Sequence, residues 1–157
     1  MNNILELVWI TFLPLLELRA SIPYGILKLQ MGWLVVFIVC VIANIILGVV
    51  LYFLLDKIIS LLTRIKAIEK LYVWYVKRVE RKIKSGVEKY GEWALMIFIG
   101  IPLPGTGVYS GAIAAHLIGL DFKRFLVSCI GGVVIAGIII TLISVTGAEA
   151  FYFFIDA

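Results

Sequence analysis

The chain has 157 residues, 63% of them hydrophobic and only 15% charged, with a formal net charge of +4. A water-soluble domain of this length cannot hide so much apolar surface, so the composition excludes that class and points to an integral membrane protein. Two cysteines, Cys40 and Cys129, both inside apolar runs, exclude a disulfide scaffold and a cysteine metal site.

Met1 leads straight into Asn2, Asn3 and an apolar stretch, with no basic segment and no small-residue cleavage site. A removable signal peptide is therefore not expected. Ile4 to Leu16 is apolar apart from Glu6 and Thr11. As a helix this piece rises about 20 Å, short of the roughly 30 Å hydrocarbon core. Pro14 and Pro23 bracket a polar break containing Glu17 and Arg19, and Tyr24 to Leu29 is a further short apolar piece. After Gly32, Trp33 to Leu55 is an uncharged run of 23 residues, long enough to span.

Residues 56–92 have a different character. Ten of the fourteen Lys and Arg lie between Lys57 and Lys89. Apolar residues recur three or four apart, from Leu61 and Ile65 through Tyr72, Val76, Val79 and Ile83. This is the pattern of amphipathic helix lying on the cytoplasmic membrane surface, where basic residues concentrate and meet anionic lipid. A solvated connector and a gating element are the two readings of it. Nucleic-acid binding is the rival explanation of the basic block, and nothing else in the chain supports it.

Trp93 to Pro102 is again short and apolar, and Pro102-Leu103-Pro104-Gly105-Thr106-Gly107 cannot continue a regular helix. Val108 to Leu120 is rich in small residues, which let helices pack closely in lipid. Asp121 to Arg124 is a polar step, Phe125 to Val145 is the second spanning run, and the tail from Thr146 carries Glu149 and Asp156 without a basic residue.

The two halves match in pattern. A shift of about 87 residues superposes the broken segments, brings Gly32 onto Gly119 and overlaps the two long runs. The fold expected is an all-α integral membrane protein of two inverted repeats. Each repeat is a re-entrant helical hairpin plus one transmembrane helix, residues 1–55 and 93–157, joined by the cytoplasmic amphipathic segment 56–92. Paired interruptions of this kind mark the binding site in many secondary transporters. Charge supports the inverted arrangement. With hairpins entering from opposite sides, Lys123 and Arg124 fall on the cytoplasmic side; with both broken segments fully spanning, they fall outside, against the positive-inside rule. So little chain cannot bury irregular backbone at membrane depth by itself, which points to a homodimer.

The candidate site residues are Glu17, Arg19, Pro23, Asn44, Pro102, Pro104, Gly105, Thr106, Gly107, Tyr109 and Ser110. A charge in hydrocarbon costs about 3 kcal/mol on insertion scales, so Glu17 and Arg19 must face a cavity or a partner. Glu17 suits a proton or cation; Arg19 suits an anionic group such as phosphate. The alternative is a structural ion pair that staples the hairpin. The 102–107 loop offers backbone amides, the Thr106 hydroxyl and the positive end of a following helix, or else only a tight turn. Tyr109 and Ser110 add hydroxyls. Asn44, central in its apolar run, is expected to hold the hairpin backbone more than substrate. His116, the single histidine, is expected to pack at an interface and not to relay protons. Hydrolase triads, nucleotide loops and metal-ligand clusters are missing from the sequence, so neither an enzyme nor a cofactor is expected.

The motifs Glu17-Leu18-Arg19-Ala20-Ser21-Ile22-Pro23, Pro102 to Gly107 with Val108-Tyr109-Ser110-Gly111, and Gly119 to Arg124 resemble those of the small multidrug export protein family of prokaryotic membrane proteins. That family is in turn distantly similar to the DedA membrane proteins, which are associated with re-entrant hairpins and polyprenyl-phosphate lipid carriers. The resemblance implies a multi-pass protein of the prokaryotic inner membrane, with Glu17, Arg19 and the 102–107 loop forming a transport site. It implies a secondary transporter exporting small molecules or drugs, coupled to a proton or cation. The alternatives are a flippase for an anionic lipid carrier and a non-transporting membrane scaffold. The arrangement is tested by topology mapping. With the native cysteines removed, Lys123→Cys is expected to react with an impermeant thiol reagent only from the cytoplasm, and Glu149→Cys only from outside.

Overall fold

The protein is described by a computed structural model covering residues 2–14, 16–62, 73, 74, 77, 91–103 and 106–155. All the elements among them are helical. They are α1 (Asn2–Phe12), α2 (Glu17–Pro23) with a π-helical extension (Tyr24–Lys28), α3 (Trp33–Leu62), α4 (Glu92–Gly100), α5 (Val108–Leu117) and α6 (Phe122–Ile155). Two helical stretches, Trp33–Leu55 and Phe122–Gly147, are long and apolar enough to cross a membrane. Most of the basic amphipathic segment 56–92 lies outside the described residues. The part that is described begins as a direct continuation of α3 to Leu62, so Asp56 and Lys57 extend that helix instead of ending it.

The first broken segment departs from expectation at Pro23. The sequence suggests a break at both prolines. Among the described residues the chain turns at Leu13, Pro14 and Leu16, and then runs helically through Pro23. A proline ring crowds the carbonyl four residues back, here that of Arg19. The wider π turn that follows lets the helix pass that obstacle.

Contacts along the chain fix the direction of each piece. In the first half, Leu7 and Val36 both lie against Gly25, and Thr11 bonds to Ser21 at 2.8 Å. Hence α1 and α2 run antiparallel, with both outer ends beside the start of α3 and the turn toward its middle. In the second half, Ser128 donates to the Glu92 carbonyl at 2.8 Å, while Met96 and Ile99 abut Gly131 and Gly132. Thus α4 runs parallel to α6 from the start of α6. Ile99 then meets Gly111, and Tyr52 donates to the Leu120 carbonyl at 2.8 Å, so α5 returns to the start of α6. That end is closed by Tyr52 stacked on Phe125, with ring centroids 4.9 Å apart. Arg124 pairs there with Asp121 at 3.4 Å and Glu92 at 3.8 Å.

The core is a thin seam of Leu7, Leu18, Ile22, Val36, Leu95, Ile99, Val108, Phe125 and Val133 between the hairpins and the two long helices. Outside it, Leu34, Ile38, Ile42, Ile46, Val50 and Phe53 leave a continuous apolar stripe of α3 exposed. Trp93 and Ile97 on α4 and Ile138 and Leu142 on α6 are exposed as well. A surface this apolar suits hydrocarbon and not water.

Glycine sets the closest approaches. A Cβ at Gly132 would lie 2.6 Å from Ile99 Cβ and 2.8 Å from the Met96 carbonyl oxygen, which is backbone and cannot swing away. Gly132→Ala is expected to push α4 off α6 at a cost of about 1–3 kcal/mol. Gly147→Ala, with nothing within 4 Å, is expected to be neutral or stabilising by up to about 1 kcal/mol. Thermal unfolding in detergent should separate the two; equal behaviour would contradict the packing.

Candidate functional site

The turns of the two hairpins meet tip to tip. Glu17 opens α2 with φ of 46°, in the left-handed region that a non-glycine residue occupies only where its surroundings demand it. From there its carboxylate reaches the N-terminus of α5. Oε2 accepts from the Val108 amide at 3.2 Å and Oε1 from the Tyr109 amide at 3.3 Å. The first amides of a helix have no partner inside it, and the helix dipole favours a negative charge there. Glu17 is therefore a cap supplied from 91 residues away. It is 4% exposed.

Gly107 is what lets the carboxylate in. Its φ is 125°, and a Cβ there would stand 2.4 Å from Glu17 Oε2. The absence of a side chain and the positive φ are both required at this one position.

Arg19 satisfies the opposite kind of group. Its Nη2 donates to the Thr106 carbonyl, to Thr106 Oγ1 at 2.8 Å and to the Ile101 carbonyl at 3.4 Å. The Thr106 hydroxyl faces the Ile101 carbonyl at 2.6 Å and the Leu103 carbonyl at 2.8 Å. The Ile101 and Thr106 carbonyl oxygens thus both turn toward one guanidinium, whose several donors suit such a pair. The expected grip of Arg19 on an anion and the expected offer of loop amides to a ligand both take a different form here. Each charged side chain serves the backbone of the other tip.

Two further bonds hold the junction. Tyr109 Oη donates to the Phe12 carbonyl at 2.6 Å, closing α5 onto the end of α1. Ser110, 3% exposed, turns its hydroxyl onto the Gly107 carbonyl at 3.3 Å. Asn44 on α3 hydrogen-bonds with the Glu17 side chain. Pro102 is half-buried in the loop between Ile101 and Leu103. Pro104 and Gly105 lie outside the described residues. Pro23 sits at the far end of α2, about 9 Å along the helix from Glu17, and is not part of the junction.

Sequence reasoning did not place five nearby residues at the site. Cys129 on α6 comes within electrostatic reach of Glu17, and a Cβ at Gly48 on α3 would meet both its Sγ, at 2.7 Å, and Val108. Thr11, Ser21 and Cys40 make a small buried polar cluster behind the tip. A hydroxyl in an apolar run was the available signal for Thr11 and Ser21. Among the described residues, no group of three or more His, Cys, Asp or Glu side chains gathers to hold a metal.

A family model described as "Putative small multi-drug export protein" matches residues 17–139, beginning at the residue that caps α5. The chain belongs to that family. The comparisons with curated proteins and with solved structures returned no match, and the more distant likeness to the DedA proteins gains no support from them.

Gly107→Ala is expected to expel the Glu17 carboxylate from α5 and to cost about 1–3 kcal/mol from strain and overpacking. Unfolding in detergent checks it. Gly119→Ala serves as control, since it also has positive φ, at 65°, but has nothing within 4 Å. An equal loss at the two positions would show that φ alone, and not the carboxylate, sets the cost.

Proposed function

We propose that this member of the small multi-drug export family is a secondary membrane transporter that works as a prokaryotic inner-membrane exporter of small molecules. Its translocation site is the junction of the two hairpin tips. The observation that carries the reading is the reciprocal pairing of Glu17 with the α5 amides and of Arg19 with the Ile101 and Thr106 carbonyls. Charged groups and unpaired backbone at membrane depth are tolerated where they are buried in protein or line a path for solute.

In this reading each hairpin is re-entrant and the halves are inverted repeats. The first hairpin enters beside the start of α3 and the second beside the start of α6, at opposite ends of the bundle. Arg19 and Thr106 are 87 residues apart, the offset that superposes the halves. Residues related by a pseudo-two-fold axis touch each other only where they lie near it. With the basic segment 56–92 in the cytoplasm, the first tip is reached from outside and the second from inside. Alternating access is then a parting of the tips toward one side or the other. Glu17 is the group that binds the coupling proton or cation, and a second copy of the chain covers part of the apolar surface.

An anionic lipid headgroup is the weaker substrate, because with the tips joined the amides it would use are held by Glu17. Glu17→Gln keeps the shape and removes the charge. In cells overproducing the protein, the wild type is expected to raise the inhibitory concentration of a panel of lipophilic drugs, and Glu17→Gln to return it to the level of cells with an empty vector, at equal membrane abundance. An unchanged inhibitory concentration with the wild type counts against drug export. Movement of a labelled polyprenyl phosphate in reconstituted vesicles would favour the flippase instead.

A further inference from the structure

One polar atom beside the tip junction has no partner. Asn44 is 1% exposed, and its Oδ1 is buried without a hydrogen bond. Its side chain hydrogen-bonds with Glu17, so the amide nitrogen faces the carboxylate and the oxygen is the end left over. An unpaired buried carbonyl is costly, and native proteins leave few of them. Thr141 Oγ1 is the other such atom among the described residues. A helical hydroxyl can turn to the carbonyl one turn back, which an amide oxygen cannot do. Asn44 Oδ1 needs a donor brought to it.

Glu17 as it stands cannot be that donor. Both of its oxygens accept, from Val108 and Tyr109, and an ionised carboxylate has no proton to give. A protonated carboxyl has one. The Asn44 amide suits both forms, because its NH2 group can donate to a carboxylate and its oxygen can accept from an acid. A half-turn of the amide exchanges the two ends.

We propose that Glu17 and Asn44 form a two-state proton-binding pair. With the tips joined, Glu17 is the charged cap of α5. When the tips part, one Glu17 oxygen takes a proton from hydronium in the entering water, which leaves as water; the carboxyl becomes neutral, and its O–H donates to Asn44 Oδ1. The Val108 and Tyr109 amides are released at the same time, so protonation and opening are one event. The proposal deepens the transport reading, on which it rests for its use in the cell, and names the coupling ion.

The surroundings fit a proton better than a metal cation. Metal cations such as Ca²⁺ and Mg²⁺ take a full shell of oxygens, whereas the neighbouring hydroxyls of Ser110 and Thr106 are turned to backbone carbonyls. The titratable groups acting on Glu17 are few. Arg19 on its own helix favours the carboxylate, Tyr109 comes from α5 and Cys129 from α6, and α3 contributes only the neutral Asn44. From α1 and α4 no titratable side chain acts on it among the described residues.

Infrared difference spectra of the full chain in liposomes, taken across a pH titration, test the pair. The expected result is a protonated-carboxyl band that appears on acidification, is lost in Glu17→Gln, and shifts in frequency in Asn44→Leu, where the acceptor is gone. Asn44→Ser, which keeps a smaller acceptor and threatens the fold less, should shift it less. The same frequency in all three Asn44 backgrounds, or the absence of any Glu17 band over the pH range in which the protein stays folded, overturns the proposal. Transport assayed in the same liposomes separates the two ideas. The band without transport supports the pair and sinks the transport reading; transport driven by a sodium gradient without the band does the reverse.

Discussion

The bundle depends on an exchange of charge and backbone between two helix turns. Each tip leaves orphan groups that a membrane interior cannot satisfy with water. The second tip exposes amides at the head of α5 and carbonyls in the loop before it. The first tip supplies a carboxylate for the amides and a guanidinium for the carbonyls. Neither charge would be tolerable alone, and neither backbone would be. Removing one member of a buried ionic set strands the others, at about 3–5 kcal/mol in well-studied cases. The junction is thus strong when complete and unstable when partly broken.

The rest of the fold serves that contact. The hairpins are short helices that bury little surface of their own, so they need the flanks of α3 and α6. Small residues allow that approach: Gly48 admits Val108 and Cys129, Gly111 and Gly132 admit Ile99, and Gly107 admits the carboxylate itself. The outer faces of α3, α4 and α6 remain apolar and open, suited to lipid or to another copy of the chain. The junction is held mainly by polar bonds, whereas α4 lies on α6 by close apolar packing. A change of state at the tips therefore need not repack the seam.

Much of this was legible in the sequence, for identifiable reasons. The two long apolar runs announce themselves by length, and α3 and α6 contain them. The broken segments stand out because Glu17, Arg19 and four prolines have no ordinary place in apolar helices. That the two motifs touch does not follow from either one; it follows only from how the helices pack. The role of Pro23 was misread, because proline rules describe α-helix and the chain adopts a π turn. That Glu17 and Arg19 reach the backbone of the opposite tip is not legible in the motifs, because a sequence does not reveal that one tip supplies what the other lacks. Asn44 was read as a backbone brace. Its position in the run gave its depth but not the direction of its side chain, and that direction places it against Glu17.

The most direct measurement of the central claim is a cross-link between the tips in native membranes. With Cys40 and Cys129 replaced, the pair Arg19→Cys and Thr106→Cys should be bridged within one chain by a short bifunctional thiol reagent. The pair Arg19→Cys and Gly147→Cys should not be bridged. A transported substrate should change the yield of the first pair. If both cysteines of the first pair react singly with the reagent and never bridge, the two motifs do not meet and the account is wrong.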